Sequence, residues 1–466
     1  MAARAAKLPS AALARQVFSM PRMSAFLRLT SPFAVLLIAS HAAVAQEGPL
    51  EIDITEGRIE PVPFALTVDV EGNLLATDAG DIGDVVVNDL QSSALFRQIN
   101  PDAYMQSAAD AAEQPRFRDW RIIDAQVLIA GSVRDRGDGT IEVAARAWDV
   151  YGGREMVGVR LNGPLALARR MAHVLADRIY TRVTGEPGYF DTRILYVAES
   201  GPATERVKRL AIMDQDGANH EYLTDGSHLV LTPRFSPDGK GALYFSYQGR
   251  APSVFRYDLD AGRSEELGQF SGMSFAPRFH PEGTEVAMSL AREGVTNVFT
   301  LDLATGDLLQ LTRGRAIDTS PSYSPEGDRI VFSSDRSGRP HLFVMDAGGG
   351  VARRISFGEG SYTTPVWSPR GDYIAFTKSV KGRFYIGLMH PDGTGERLIA
   401  DGFLVEGPSW APNGRLLAFA RTEPAPGSAD TIRIYTIDIT GNRERELPTP
   451  TDASDPSWGP YQATRS

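Results

Sequence analysis

Side chains able to make or break bonds are dispersed along this chain rather than gathered. Its seven histidines stand singly, with no H-x-H or H-E-x-x-H spacing, and there is no cysteine. The usual signatures of a zinc centre or a thiol nucleophile are therefore missing. No G-x-S-x-G occurs either, whereas a hydrolase would need that elbow and a following His on a separate domain. Asp214-Gln-Asp-Gly217 and Asp392-Gly393 follow calcium-loop spacing faintly. Lacking further acids and a closing Glu, they read as β-turns. No catalytic residue, metal ligand or cofactor is expected. A propeller hydrolase or a metal-dependent envelope enzyme is the alternative these absences weigh against.

What remains is the chemistry of recognition, in two places. Residues 46–57 combine Glu47, Glu51, Asp53 and Glu56 with alternating Leu50, Ile52 and Ile54. Such a strand pattern without a neighbouring strand can add to the edge of another protein's sheet, with Glu51, Ile52, Asp53 and Ile54 as its contacts. The competing reading is that it pairs within its own domain. The second place is a set of long, diverse loops in the C-terminal region: Asp225–Thr232, Ser271–Ala276, Arg315–Ser320, Glu359–Thr364 and Phe403–Gly407. Variable loops on a rigid scaffold are where binding usually sits. Thr232, Phe275, Ala276, Thr319, Thr363, Thr364 and Glu406 are the candidate contacts.

A repeat sets the scaffold for those loops. Pro-x-aromatic-x-Pro-x-Gly occurs at Pro233–Gly239, Pro277–Gly283, Pro321–Gly327, Pro365–Gly371 and Pro408–Gly414, with a degenerate sixth copy at Pro456–Pro460. A second landmark keeps the same beat at Asp214, Asp258, Asp302, Asp346, His390 and Asp438. A period of about 40–45 residues is that of one four-stranded propeller blade. Helical repeats are excluded by the Pro, Gly and β-branched content of every unit. The Pro-x-aromatic segment reads as the innermost strand, and Ser-Pro-x-Gly as a tight turn. The aromatics at 235, 279, 323, 367, 410 and 458 read as packing between blades. His280 and His390 fall where other copies carry Ser or Asp and read as turn residues. Residues 193–224 lack an inner strand, while residues 456–458 lack everything else, so the two ends should complete one blade together. The inter-blade loops then share one face with the loops between second and third strands, and the short turns share the other.

Ahead of the repeat, residues 58–185 read as a small α/β domain. Val62–Leu66, Val127–Val133, Ile141–Val150 and Glu155–Leu161 read as strands, and Asp84–Gln98 as a helix. A last helix opens at Pro164 and stops at Gly185, with Ala168, Met171, Leu175, Ile179 and Val183 in one stripe. Residues 186–192 are the expected linker and 193–466 the six-bladed propeller.

The first 45 residues carry five cations and no acid, an apolar run Phe33–Ala39, and Ala43-Val-Ala45. That is the pattern of a cleavable signal peptide; seven apolar residues are too few to span a bilayer, which takes about 20. A start at Met23 would leave a leader of ordinary length. Cleavage after Ala45 takes the net charge from −10 to −15, an acidic balance that argues against nucleic acid.

These features together resemble the TolB family. The resemblance covers the leader, Leu50–Thr55, Val62-Pro-Phe64, Asp124-Ala125 with Gly131-Ser-Val133, Arg193–Val197, the six propeller motifs and the closing Pro-Ser-Trp-Gly-Pro. It implies a periplasmic, non-enzymatic, monomeric scaffold of the Tol–Pal system. It implies that the propeller binds the peptidoglycan-associated lipoprotein Pal and the arm binds the C-terminal domain of TolA. Inner membrane and outer membrane would thus be linked during division.

Overall fold

The computed structural model describes residues 60–72, 76–248, 252–269, 274–292, 294–425 and 430–462. The expected leader and the arm with Glu51, Ile52, Asp53 and Ile54 lie outside the described residues. The head domain is built on a five-stranded sheet ordered β2-β1-β3-β4-β5. Its strands are β1 (Val62–Glu71), β2 (Phe96–Gln98), β3 (Val127–Asp135), β4 (Thr140–Asp149) and β5 (Arg154–Pro164). β1 runs parallel to β2 and β3, and β3 to β5 form an antiparallel meander.

Helices cover both faces of this sheet, because successive side chains of β1 and β3 point to opposite sides. Phe64, Leu66, Val127 and Ile129 pack under α1 (Ala76–Ser92) and α4 (Ala168–Thr184), while Ala65, Leu128 and Ala130 pack under α2 (Ala108–Glu113) and α3 (Phe117–Ile122). The helix expected at 84–98 is displaced: α1 ends at Ser92, and residues 96–98 form edge strand β2. Val85 and Val86, poor helix formers, are tolerated because their side chains are buried against the sheet. Gly185 closes α4 at φ 73°, its N–H bonded to Thr181 O, the left-handed cap that a glycine allows.

The remaining described residues form six four-stranded blades. Within blade 2 the strands run from the axis outward as Val230–Phe235, Gly241–Ser246, Ser253–Asp258 and Arg263–Gln269. Ser-Pro-x-Gly links the first pair: Gly239 N–H bonds Ser236 O at 2.9 Å, and Gly241 N–H bonds Ser236 Oγ at 2.9 Å. The Asp landmark caps the next turn, with Asp258 Oδ1 accepting from Asp260 N and Ala261 N; Asp302 does the same for Ala304 and Thr305. The second strands are buried over most of their length, and Gly241–Ser246 over all of it. Tyr323, Trp367 and Trp410 lie in the clusters that fill the gaps between blades.

The ring is closed as its two ends suggest. Asp452–Trp458 is the inner strand of blade 1, paired antiparallel with Arg193–Ser200, and Val207–Asp214 and Glu221–Tyr222 complete the sheet. No helix among the described residues is long and apolar enough to cross a membrane.

Candidate partner-binding face

The head domain sits on the turn face of the ring. The linker segment, residues 186–192, is packed: Tyr189 and Phe190 are fully buried, and Trp458 meets Tyr189 edge-on with centroids 6.0 Å apart. Glu186 bridges two blades, with its carboxylate 2.5 Å from both Arg370 and Arg415, each beside a Pro-x-Gly turn. Burial alone would raise the Glu186 carboxyl, but the two guanidiniums outweigh it and hold it below the usual range. Head residues and blade residues such as Ile194, Tyr196, Leu416 and Trp458 belong to one continuous apolar core.

A buried polar cluster lies in the same contact. Asp89 Oδ2 is 2.7 Å from His173 Nδ1, and Asp89 Oδ1 accepts from Gln215 Nε2 at 2.8 Å. Burial pushes the His173 imidazolium down, but the carboxylates of Asp89, Asp214 and Asp216 overcome it and raise it to about 10. His173, Asp214 and Asp216 come close enough together to ligate an ion. Arg169, however, lies 3.4 Å from Asp214 and is bonded to Asp216. A guanidinium already neutralises the carboxylates a cation would need, so the arrangement is an ion-pair network holding two domains together.

With the turn face partly covered, the opposite face carries the inter-blade loops. Thr232, Thr319, Thr363, Thr364 and Glu406 all lie at the starts of inner strands on this side, together with Phe275 and Ala276, of which only the strand position is described. The structure places them in a ring around the channel mouth rather than in one cluster. Thr232, Ser320, Thr364 and Asp455, each immediately before a proline, adopt φ of 45–55°, and Gly407 takes 65°. Such values are outliers for a β-branched residue. Each coincides with a shift of register in its strand pair, the mark of a β-bulge that turns the strand start toward the axis. Neighbours hold the strained backbone: Thr232 N–H bonds Asp455 Oδ2 at 3.3 Å, and the hydroxyls of Thr364 and Thr377 are 2.7 Å apart.

Beside these polar positions stands a set of apolar residues that the sequence reading passed over. Leu229, Ile317, Phe357 and Phe403, one from each of four inter-blade loops, are 37, 52, 71 and 59% exposed, and Tyr247 on a loop between second and third strands is 37% exposed. Aromatic and large apolar side chains left in water on a rigid frame are typical anchors of protein interfaces. Their signal was present as isolated apolar residues in polar loops, with glycine next to Phe357 and Phe403.

An α/β head fused to one face of a six-bladed ring, with loops projecting from the other, defines a two-domain propeller protein. Residues 180–462 match the profile of the TolB β-propeller domain and residues 50–156 that of the TolB amino-terminal domain. The chain belongs to the TolB family. It is 60% identical over 438 residues, 93% of this chain and 98% of the relative, to the Tol-Pal system protein TolB of Paramagnetospirillum magneticum. It is 47% identical over 235 residues, 50% of this chain and 53% of the relative, to the Tol-Pal system protein TolB of Jannaschia sp.. The crystal structure of TolB from Acinetobacter baumannii superposes with a TM-score of 0.77 at 25% identity, covering 88% of this chain and all of that one.

Proposed function

We propose that this protein is a non-enzymatic, monomeric scaffold of the periplasm, exported by cleavage after Ala45. In this reading its loop face binds Pal and its arm, residues 46–57, binds the C-terminal domain of TolA. It thereby ties the inner-membrane complex to the outer membrane and supports envelope integrity and invagination at division. The observation that carries the reading is the set of exposed apolar residues on the face opposite the head, Leu229, Ile317, Phe357 and Phe403. Membership of the TolB family is what supports naming Pal and TolA as the partners.

The test is calorimetry with purified Pal and TolA domains. Phe357→Asp and Phe403→Asp should each weaken Pal binding about tenfold or more, the equivalent of about 1.4 kcal/mol. Asp238→Lys and Glu326→Lys, in the opposite turns, should leave it unchanged; equal losses from both sets would refute the assignment of the face. Deleting residues 46–54 should abolish TolA binding and alter Pal affinity only modestly. Undiminished TolA binding would remove the arm from the proposal.

A further inference from the structure

The middle residue of each Pro-x-aromatic motif faces the axis of the ring, because proline and aromatic on either side turn between the blades. Round the ring these residues are Arg234, Arg278, Ser322, Val366, Ser409 and Ser457, and all six line a cavity of about 450 Å³ at the turn end of the channel. None is a carboxylate. Ser322 Oγ accepts from Trp367 N at 3.2 Å, Ser409 Oγ from Trp458 N at 2.9 Å, and Ser457 Oγ from Phe235 N at 3.1 Å. Each hydroxyl therefore spends its oxygen on the next blade and keeps its proton for donation.

The two arginines are under-used in the same sense. Arg234 is 8% exposed, donates through Nη1 to Pro233 O at 2.6 Å, and has no partner for Nε. Arg278 makes no hydrogen bond or ion pair with any described residue. The carboxylate that acts on Arg234 is Asp455, which accepts from Thr232 N two residues ahead of that arginine and forms no ion pair with either arginine. Burial, then the charge of Arg234 beside it, pushes the Arg278 guanidinium down. A guanidinium cannot escape by losing its proton, so two like charges remain side by side, Arg234 buried and Arg278 half-buried, unless an anion joins them.

The geometry points to an oxyanion site in the channel, in which the forks of Arg234 and Arg278 and the hydroxyls of Ser322, Ser409 and Ser457 hold a carboxylate or phosphate group. Guanidinium forks match either group bidentately, and the cavity is within the usual size range for a small organic ligand. A free anion and the acidic side chain of an inserted polypeptide share this chemistry.

Thermal shift and calorimetry on the intact mature chain test the site with three probes: inorganic phosphate, citrate, and a glutamate-rich peptide beside its glutamine analogue. Ionic strength is held constant with sodium chloride. At least one oxyanion should raise the melting temperature progressively with concentration, as ligand linkage requires. Phosphate or citrate acting alone assigns a free anion; the glutamate peptide acting without its glutamine analogue assigns an inserted side chain. Arg278→Gln should melt at or above the temperature of the unliganded parent, because it relieves the repulsion, yet lose about tenfold or more in anion affinity. A parent unmoved by all three probes, or an Arg278→Gln variant whose anion response is intact, overturns the proposal. An Arg278→Gln variant melting well below the parent also overturns it, since that marks a packing role.

Discussion

Replacing Trp458 with alanine removes one side chain from three boundaries at once. The indole is 6% exposed, meets Tyr189 of the packed connection, and donates from Nε1 to Thr192 Oγ1 at 2.9 Å, while its backbone N–H reaches Ser409 of blade 6. Truncating a buried Trp costs about 3–5 kcal/mol, and little collapse is available where blade 1, blade 6 and the head all need the same volume filled. Trp458→Phe separates ring from hydrogen bond. It should cost only about 1 kcal/mol, because Thr192 Oγ1 keeps its own bond to Tyr189 O at 2.6 Å and is not stranded. Denaturant titration followed by circular dichroism gives both values from midpoint and slope. An alanine variant within about 1 kcal/mol of the parent would refute the claim that this residue locks the ring to the head, as would equal losses for alanine and phenylalanine.

Deleting residues 455–466 should cost more than Trp458→Ala, since it also strips the inner strand and the Ser457 hydroxyl that caps Phe235 N; a thermal melt within a few degrees of the parent would refute the closure. Acid should weaken the ring through Glu199 and Asp452. Burial raises both carboxyls, but the hydrogen bonds outweigh it, from Lys208, Ser454 and Arg206 on Glu199 and from Ile432 N, Arg433 and Arg206 on Asp452, holding both below their ordinary values. Their stabilisation is full above the unfolded range and lost as pH falls below about 4.5, so Glu199→Gln should flatten the acid limb of melting temperature against pH. His173 works in the opposite sense. Raised to about 10, it stabilises fully below about pH 6.5 and progressively less as pH climbs toward 10, and His173→Gln should flatten the alkaline limb. A double-mutant cycle between Glu186→Ala and Arg415→Ala should show coupling of about 1 kcal/mol; simple additivity would mean that the clamp does not tie head to ring.

The ring was legible because its information is local and repeated. Ser-Pro-x-Gly and the Asp landmark encode turns whose hydrogen bonds lie within five residues, as at Ser236–Gly241 and Asp258–Ala261, and six copies leave no doubt about the period. The clean stripe of α4 and the Gly185 stop were legible for the same reason. The short helices α2 and α3 were not, since one or two turns give no periodicity to read; what holds them is Trp120, whose Nε1 bonds Gln106. The docking of the head was hidden as well. Glu186 and Asp191 read as parts of a connection, and their partners lie 184 to 271 residues further on. The candidate threonines were placed at the channel mouth by topology alone, but the left-handed backbone of Thr232 and Thr364 runs against the residue's own preference and follows only from the bulged ladder around it.

The seam in blade 1 also orders events in time. Trp458 and Thr192 touch across 266 residues of intervening chain, so the last-made strand is the one that seals the first-made blade. Until it arrives, the strand Arg193–Ser200 presents a bare edge, and the five blades between can stack without becoming a ring. Contacts of such length make for slow closure. Because the indole that completes the seam also wedges against Tyr189, the head gains its full foothold at that same late moment. A chain emerging N-terminus first would thus remain an open stack until that strand is made, and become a ring in a single step.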